Sequence, residues 1–379
     1  MKIVIAPDSF KGSLTAREAA QSIESGILRV LPEAECVSIP MADGGEGTVQ
    51  SLVDATGGRI MRVLVTDPLG HPTNAEYGIL GDGRTAVIEM AAASGIQYID
   101  ETTRNPLIAT TYGTGELIKD ALEQGVSDII VGLGGSATND GGAGMAQALG
   151  VRLLDDNGAP LPFGGAALAE LSEVDVSGLD PRLADVRIRL ASDVTNPLTG
   201  VRGASAVFGP QKGATPDMVE RLDDALAHYA AVIRKQLGRE AETVPGAGAA
   251  GGLGAGFLAF TEASMRSGVD LVIEATGLAG LAAGADYCFT GEGGIDFQTQ
   301  YGKTPMGVAR AVKQASPDCT VVALADSIGE GIDQLYDLGI DAIFGIMPGV
   351  STMRDAVDHA ADNLARTAEN VARLLARNL

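Results

Sequence analysis

Short aliphatic runs that end in polar, glycine-rich loops recur along this chain. Residues 2–6 (KIVIA) form such a run, closed by Pro7 and the loop Asp8-Ser9-Phe10-Lys11-Gly12-Ser13. Apolar runs of four to eight residues bounded by breakers predict buried strands. Thr15 with Glu18 three places on predicts a capped helix to about Leu31, carrying Ala19, Ile23, Ile27 and Val30 on one face. Residues 36–40 predict a second strand, followed by Asp43-Gly44-Gly45-Glu46-Gly47 and a helix to about Ala55. Strand, polar loop and helix therefore occur twice in the first 55 residues, the pattern of a doubly wound parallel sheet. Residues 59–66, 75–80 and 85–90 then predict consecutive strands without helices, hence antiparallel pairing. Helical periodicity returns over 114–124, and the βα rhythm resumes past about 284, with strands at 286–290, 320–324 and 341–346 and a last helix over roughly 352–377.

The stretch 129–144 (IIVGLGGSATNDGGAG) organises the rest. A four-residue apolar run leads into six glycines interleaved with Ser136, Thr138, Asn139 and Asp140, and a helix is expected from about Gly144 to Leu149. Bare backbone amides at a helix start suit an anion, so this loop reads as a phosphate or polyol site. With strands 2–6, 36–40 and 129–132, the chain supplies about six candidate parallel strands. Ligands of such sheets lie outside the carboxyl ends of the strands. Those ends carry Asp8, Ser9 and Lys11; Asp43 and Glu46; Ser136, Asn139 and Asp140; Glu292 and Asp296; and Asp326. Ser192, Asp193 and Asn196 mark a further polar strand end.

Composition narrows the function classes. Hydrophobic residues make up 45% of 379 positions with no Trp, so the core is aliphatic. A formal net charge of −22 argues against nucleic acid or an anionic membrane surface as partner. Cys36, Cys288 and Cys319 are widely spaced and imply neither a disulfide framework nor a zinc site. No charged segment precedes a long apolar core at the N-terminus, and no apolar run reaches membrane-spanning length, so a cytoplasmic protein is expected. None of the three histidines pairs with a Ser or Cys motif, and no H-E-x-x-H occurs. The available base is a carboxylate, and carboxylate, lysine and glycine amides are the parts of phosphoryl transfer to a hydroxyl, with Mg²⁺ held by one or two carboxylates. GLGGSA at 132–137 fits the dinucleotide fingerprint formally, which keeps a nicotinamide-dependent oxidoreductase as the rival reading, although Thr138-Asn139-Asp140-Gly141-Gly142 would break the helix that fingerprint needs. Gly302-Lys303-Thr304 resembles a P-loop tail, but Phe297 stands where its leading glycine belongs.

The segments APDSFKGSLTA (6–16), PMADGGEGT (40–48), GLGGSATNDGGAGM (132–145), SDVTNPL (192–198), FGPQKGAT (208–215), PGAGAAGGLGAG (245–256) and TGEG (290–293) resemble the bacterial glycerate kinase family of the glycerate-catabolic type. The resemblance covers essentially the whole chain. It implies ATP- and Mg²⁺-dependent phosphorylation of D-glycerate, with 2-phosphoglycerate as the product expected and 3-phosphoglycerate the alternative. It also implies two α/β domains, one Rossmann-like, with the active site between them, and a monomer or homodimer. With the strand pattern, this assigns 1–58, 104–149 and 284–379 to a Rossmann-like domain, and 59–103 and 150–283 to an inserted mixed α/β domain. On this reading Asp193 is the general base, with Asp43 and Asp296 as alternative base or metal ligand. Lys11 holds the substrate carboxylate or the transferred phosphate, with Asp8, Ser9, Lys212 and Asp296 also at the substrate. Gly134, Gly135, Ser136, Asn139 and Gly291 line the nucleotide, and Glu292 and Asp296 place the Mg²⁺. Two positions depart from the family pattern: Gly294 stands where an arginine is usual and Asp326 where a glycine is usual. Both changes make the site more acidic, so a weakened sugar-acid-binding homologue stays open as a second alternative.

Overall fold

The pairing of β-strands gives two large sheets and one small hairpin among the described residues. A computed structural model describes residues 1–350 and 352–378. The strands in chain order are β1 (Lys2–Pro7), β2 (Glu35–Ser38), β3 (Arg59–Thr66), β4 (Pro72–Ile79), β5 (Thr85–Glu89), β6 (Asp128–Gly132), β7 (Arg152–Leu154), β8 (Glu173–Asp175), β9 (Arg187–Ala191), β10 (Ser264–Arg266), β11 (Tyr287–Ile295), β12 (Thr320–Ile328) and β13 (Ala342–Gly345). The chain forms two compact units, Met1–Asp43 with Gln50–Gly57 and Ser267–Leu379, and Gly44–Val49 with Gly58–Arg266.

The first unit holds a five-stranded sheet in the order β13-β12-β11-β1-β2, parallel at every pairing. Taking these strands in their own chain order, the arrangement is 2-1-3-4-5, a doubly wound layout whose direction of winding reverses between β1 and β11. Ile3, Ile5, Phe289, Val322 and Leu324 from the strands meet Ile23, Ile27, Leu364 and Val371 from the helices in one aliphatic core. The helix Ala16–Leu28 starts as expected: Thr15 Oγ1 accepts from the Glu18 amide at 3.2 Å, and the Thr15 amide donates to Glu18 Oε2 at 2.9 Å. The C-terminal helix is interrupted at His359, giving Met353–Asp358 and Ala360–Leu375 in place of the single helix expected over 352–377.

The second unit holds a mixed six-stranded sheet in the order β10-β9-β6-β5-β4-β3 and the small hairpin β7-β8. The antiparallel set expected over 59–90 is present as β3-β4-β5. The segment 104–149, assigned from the sequence to the Rossmann-like unit, lies here instead. The reason is local: β5, the helix Tyr112–Glu123 and β6 form one βαβ step, and Val131 of β6 pairs with Ile88 on one side and Leu190 on the other. The parallel sheet of the first unit therefore has five strands rather than six. Residues 267–283, assigned to the inserted domain, join the first unit, where a Cβ on Gly307 would meet Val269 Cγ2 at 2.4 Å.

Helix packing in the first unit depends on one missing side chain. A Cβ on Gly26 would lie 2.1 Å from the Ala365 carbonyl oxygen of the C-terminal helix. Alanine at this interior helical position would gain about 1 kcal/mol of helix propensity. Forcing two helix backbones apart costs roughly 1–3 kcal/mol. The clash is with backbone, which cannot swing aside, so Gly26→Ala is expected to lower the urea midpoint, whereas Gly280→Ala, with nothing within 4 Å, leaves it unchanged or raises it slightly.

Candidate active site

The carboxyl ends of β1, β2, β11 and β12 and the turn after β13 enclose a cavity of about 700 Å³ wholly within the first unit. Asp8, Lys11, Asp43, Glu292, Lys303 and Asp326 are among the charged residues lining it. It lies at the reversal of strand order, where doubly wound sheets bind ligands. Parallel pairing explains the convergence: Pro7 stands opposite Gly291, so Asp8, the first residue past β1, comes beside Glu292, which β11 carries on opposite Ala325 of β12.

Asp8 is 9% exposed. Its carboxylate accepts from Thr304 Oγ1 at 2.5 Å and from the Ser9 amide at 2.6 Å. Burial outweighs these hydrogen bonds and pushes its pKa up to about 6, with the nearby Asp43 adding to the rise. Thr304 is placed for this contact because Pro305 starts the helix Thr304–Ala315 beside β1. Glu292 is raised to about 7, again chiefly by burial, with Asp8 and Asp43 adding to the rise. Lys303 Nζ lies 3.7 Å from Glu292 Oε1, and Thr299 Oγ1 donates to the same carboxylate at 3.1 Å; both oppose that rise. Lys11 is exposed at the cavity mouth. Asp296 lines the cavity, but its carboxylate accepts from the Gln298 amide at 2.8 Å and caps the turn Phe297–Gln300. Asp326 is half-buried, and its Oδ1 is buried with no hydrogen-bond partner. Gly291 differs from its expected role at a nucleotide. A Cβ there would meet the Leu324 carbonyl oxygen at 2.2 Å, so the close approach of β11 to β12 already accounts for the glycine.

The glycine-rich loop belongs to the second unit, and its glycines divide into two classes. Any side chain on Gly132, Gly141, Gly142 or Gly144 would strike packed neighbours: Gly44 O at 2.5 Å, Tyr229 Cε1 at 2.9 Å, Gly256 Cα at 3.0 Å and Thr110 Oγ1 at 2.1 Å. These four serve packing. Gly134 and Gly135 are exposed and present bare backbone to solvent. Behind them Lys212 is 1% exposed, and its Nζ donates to Ser136 Oγ at 2.7 Å and to the Thr138 carbonyl at 2.6 Å. Burial lowers its pKa to about 7, with Asp140 opposing. Lys212 is thus a strut under the loop, its amine tied to loop oxygens, a different setting from the place at the substrate expected of it. Asn139 is fully buried and donates from Nδ2 to Ser205 Oγ at 2.9 Å, so it too supports the loop from within. Asp140 holds the loop end by accepting from the amides of Thr111, Gly142 and Gly144 at 2.8, 3.1 and 3.2 Å. The helix after the loop is short, Ala143–Ala148, and starts one residue earlier than expected.

Asp193 stands on the exposed loop after β9 in the second unit. The structure therefore groups Asp8, Ser9, Lys11, Asp43, Glu292 and Asp296 in one cavity, and in the other unit pairs Ser136 with Lys212 and Asn139 with Ser205 in the buried support of the loop. Thr304 is a partner of Asp8 that the sequence reading did not single out for this contact. The sequence signal was Pro305, which marks Thr304 as the opening of a helix. Among the described residues, no group of three or more His, Cys, Asp or Glu is placed to hold a metal ion, and no helix is long and apolar enough to cross a membrane.

Comparison with known proteins agrees with this geometry. The profile of the glycerate kinase family matches residues 3–376. The glycerate kinase of Bacillus subtilis (strain 168) is 55% identical over 372 residues, covering 98% of this chain and 97% of that one. The glycerate 2-kinase of Escherichia coli (strain K12) is 50% identical over 376 residues, covering 99% and 98%. A crystal structure of a protein assigned as a glycerate kinase 2 from Salmonella typhimurium LT2 superposes with a TM-score of 0.92 at 51% identity, covering 100% and 99%. With whole-chain matches of this strength, the two-unit α/β protein described here belongs to the glycerate kinase family.

Proposed function

We propose that the protein transfers the γ-phosphoryl group of ATP to D-glycerate, giving 2-phosphoglycerate and ADP, with Mg²⁺ as the required cation. The observation that carries this reading is the cavity at the strand reversal, where two buried carboxylates with raised pKa values, Asp8 and Glu292, share a space with Lys11 and Lys303. The names of the relatives, glycerate kinase and glycerate 2-kinase, support this choice of substrate and of the position phosphorylated. The GLGGSA stretch gives the oxidoreductase reading no support, because Ser136 is tied to Lys212 and the following helix has six residues.

The chemistry requires a base near neutrality, positive charge on the phosphates and oxygen ligands for the cation. In the proposed step the C2 hydroxyl oxygen of glycerate attacks the γ-phosphorus, the bond to the β,γ-bridging oxygen breaks, and ADP departs. The hydroxyl proton passes to Asp8, whose raised pKa places it close to the pH at which a carboxylate is an effective base. Lys11 pairs with the glycerate carboxylate, and Lys303 faces the transferred phosphoryl group. The donor set fits a hard divalent cation, because Asp43 and Glu292 offer only carboxylate oxygens. They would hold the Mg²⁺, which when bound neutralises phosphate charge. Asp296, occupied as a cap, would act through the shape of its turn.

Several measurements test these assignments. A coupled assay should show ATP consumption with D-glycerate, and phosphorus NMR of the product should show 2-phosphoglycerate; 3-phosphoglycerate would overturn the regiochemistry. Asp8→Asn is expected to lower kcat by about 10²-fold or more, and Asp193→Asn to leave kcat within about threefold on the same scale. The reverse pattern would return the base role to Asp193. The raised pKa values of Asp8 and Glu292 mean that the native protein retains protons the unfolded chain has lost. Their stabilising contribution is therefore full below the ordinary carboxylate range and is lost as pH rises through about 6 and 7. A bound divalent cation favours the charged forms, so Mg²⁺ should raise Tm more at pH 8 than at pH 5.5. An equal or larger rise at pH 5.5 would place the cation elsewhere.

A further inference from the structure

The order of strands turns the cavity of the first unit into a ruler. Across the sheet, the loops above β13, β12, β11, β1 and β2 follow one another at the spacing of paired strands, about 4.8 Å each. Above β13 the lining is largely apolar: Met347 follows the strand, and Met353 and Ala356 come from the helix Met353–Asp358, with Thr352 as the one polar neighbour there among the described residues. Above β12 stands Asp326. Above β11 and β1 come Glu292, Lys303, Asp8 and Lys11. Polarity thus changes in one direction, from thioethers through a lone carboxylate to a mixed array of carboxylates and lysines.

A molecule matching this gradient has a flat apolar ring at one end, hydroxyls in the middle and phosphates with a divalent cation at the other. We propose that this cavity takes the whole nucleotide, with the base against Met347 and Met353, and that Asp326 accepts hydrogen bonds from the ribose hydroxyls. This deepens the proposed function and rests on it for the identity of the phosphoryl donor.

Three observations support the middle position. Asp326 Oδ1 is buried without a partner, and an unmade bond to a buried acceptor is costly. The Asp326 carboxyl is raised above its ordinary value by burial, so its surroundings supply no compensation within the protein. Asp326 and Gly293 line the cavity side by side, and even a Cβ on Gly293 would stand 3.8 Å from Oδ2, an ordinary contact distance that leaves that oxygen uncovered. A carboxylate at the end of a parallel strand is also the usual reader of ribose hydroxyls in doubly wound sheets. At the apolar end, polarisable methionine sulfur suits the face of an aromatic base.

The test is equilibrium binding, read by calorimetry, of Mg²⁺-ADP and Mg²⁺-2′,3′-dideoxy-ADP to the full chain and to Asp326→Ala. The unmodified protein is expected to prefer the ribose form by about tenfold, the scale of a hydrogen bond to a charged acceptor. Asp326→Ala is expected to bind both alike, and to fold normally because Oδ1 holds no partner that the substitution would strand. Met353→Asp, at a residue 81% exposed and so tolerant of change, should weaken both nucleotides together and leave KM for D-glycerate unaltered. Retained discrimination in Asp326→Ala, or a change in KM for D-glycerate with nucleotide affinity untouched, overturns the proposal while phosphoryl transfer stands. Ribose discrimination that depends on Asp326, in a protein that phosphorylates no hydroxy acid, upholds the nucleotide site and sinks the kinase reading instead.

Discussion

The pairing of β1 with β11 is the constraint on which the first unit depends. It joins the start of the chain to a segment beyond the whole second unit, and Thr290 Oγ1 donates to the Ala6 carbonyl at 2.8 Å across 284 residues of sequence. Closing so long a loop is slow, but the added entropic cost grows only logarithmically with length. Once made, this pairing fixes the direction of two strand ends together. It sets Asp8 and Glu292 within each other's field, in a place where burial dominates their titration. Without it, each would be an ordinary carboxylate at a strand terminus.

Acidity at this cavity gives it its selectivity. Two lysines and several carboxylates make a poor site for a bare anion and a good one for an anion that arrives with a divalent cation. On the proposed function, a net charge of −22 is compatible with phosphorylated ligands, since local charge, not the sum over the chain, decides binding. The glycine loop of the second unit follows a different logic. Lys212 is buried under it, with Asp140 supplying the opposing charge, and a buried lysine hydrogen-bonded to loop oxygens stiffens backbone that four packed glycines bring close to its neighbours.

Much of this was legible in the sequence, for physical reasons that differ from place to place. The strands of the first unit announced themselves because a parallel strand buried on both faces is a continuous aliphatic run closed by polar residues, as in KIVIAP before Asp8 and VVALA before Asp326. The capping box at Thr15 was readable because both partners lie within four residues. The placement of β6 was not, because a buried parallel strand has the same appearance in either sheet, and only its pairing with β5 and β9 decides. The functions of glycines were the least legible: Gly134 lies open to solvent while Gly144 meets a packed Thr110 hydroxyl, yet both are the same letter in one motif. Likewise Lys212 and Lys303 look alike in sequence. The first is sealed under a loop and the second faces a carboxylate in an open cavity.

The central claim is that burial raises the proton affinity of Asp8 and Glu292, so that a metal-bound nucleotide drives off the protons they share between them. Proton release on binding tests it most directly, measured as the difference in calorimetric heat between two buffers of different ionisation enthalpy at pH 6.5. Titration with Mg²⁺-ADP should release about half to one proton per site, because occupied carboxylates must be charged. That release should disappear when both Asp8 and Glu292 are made amides. No release, or proton uptake, in the unaltered protein would contradict the account.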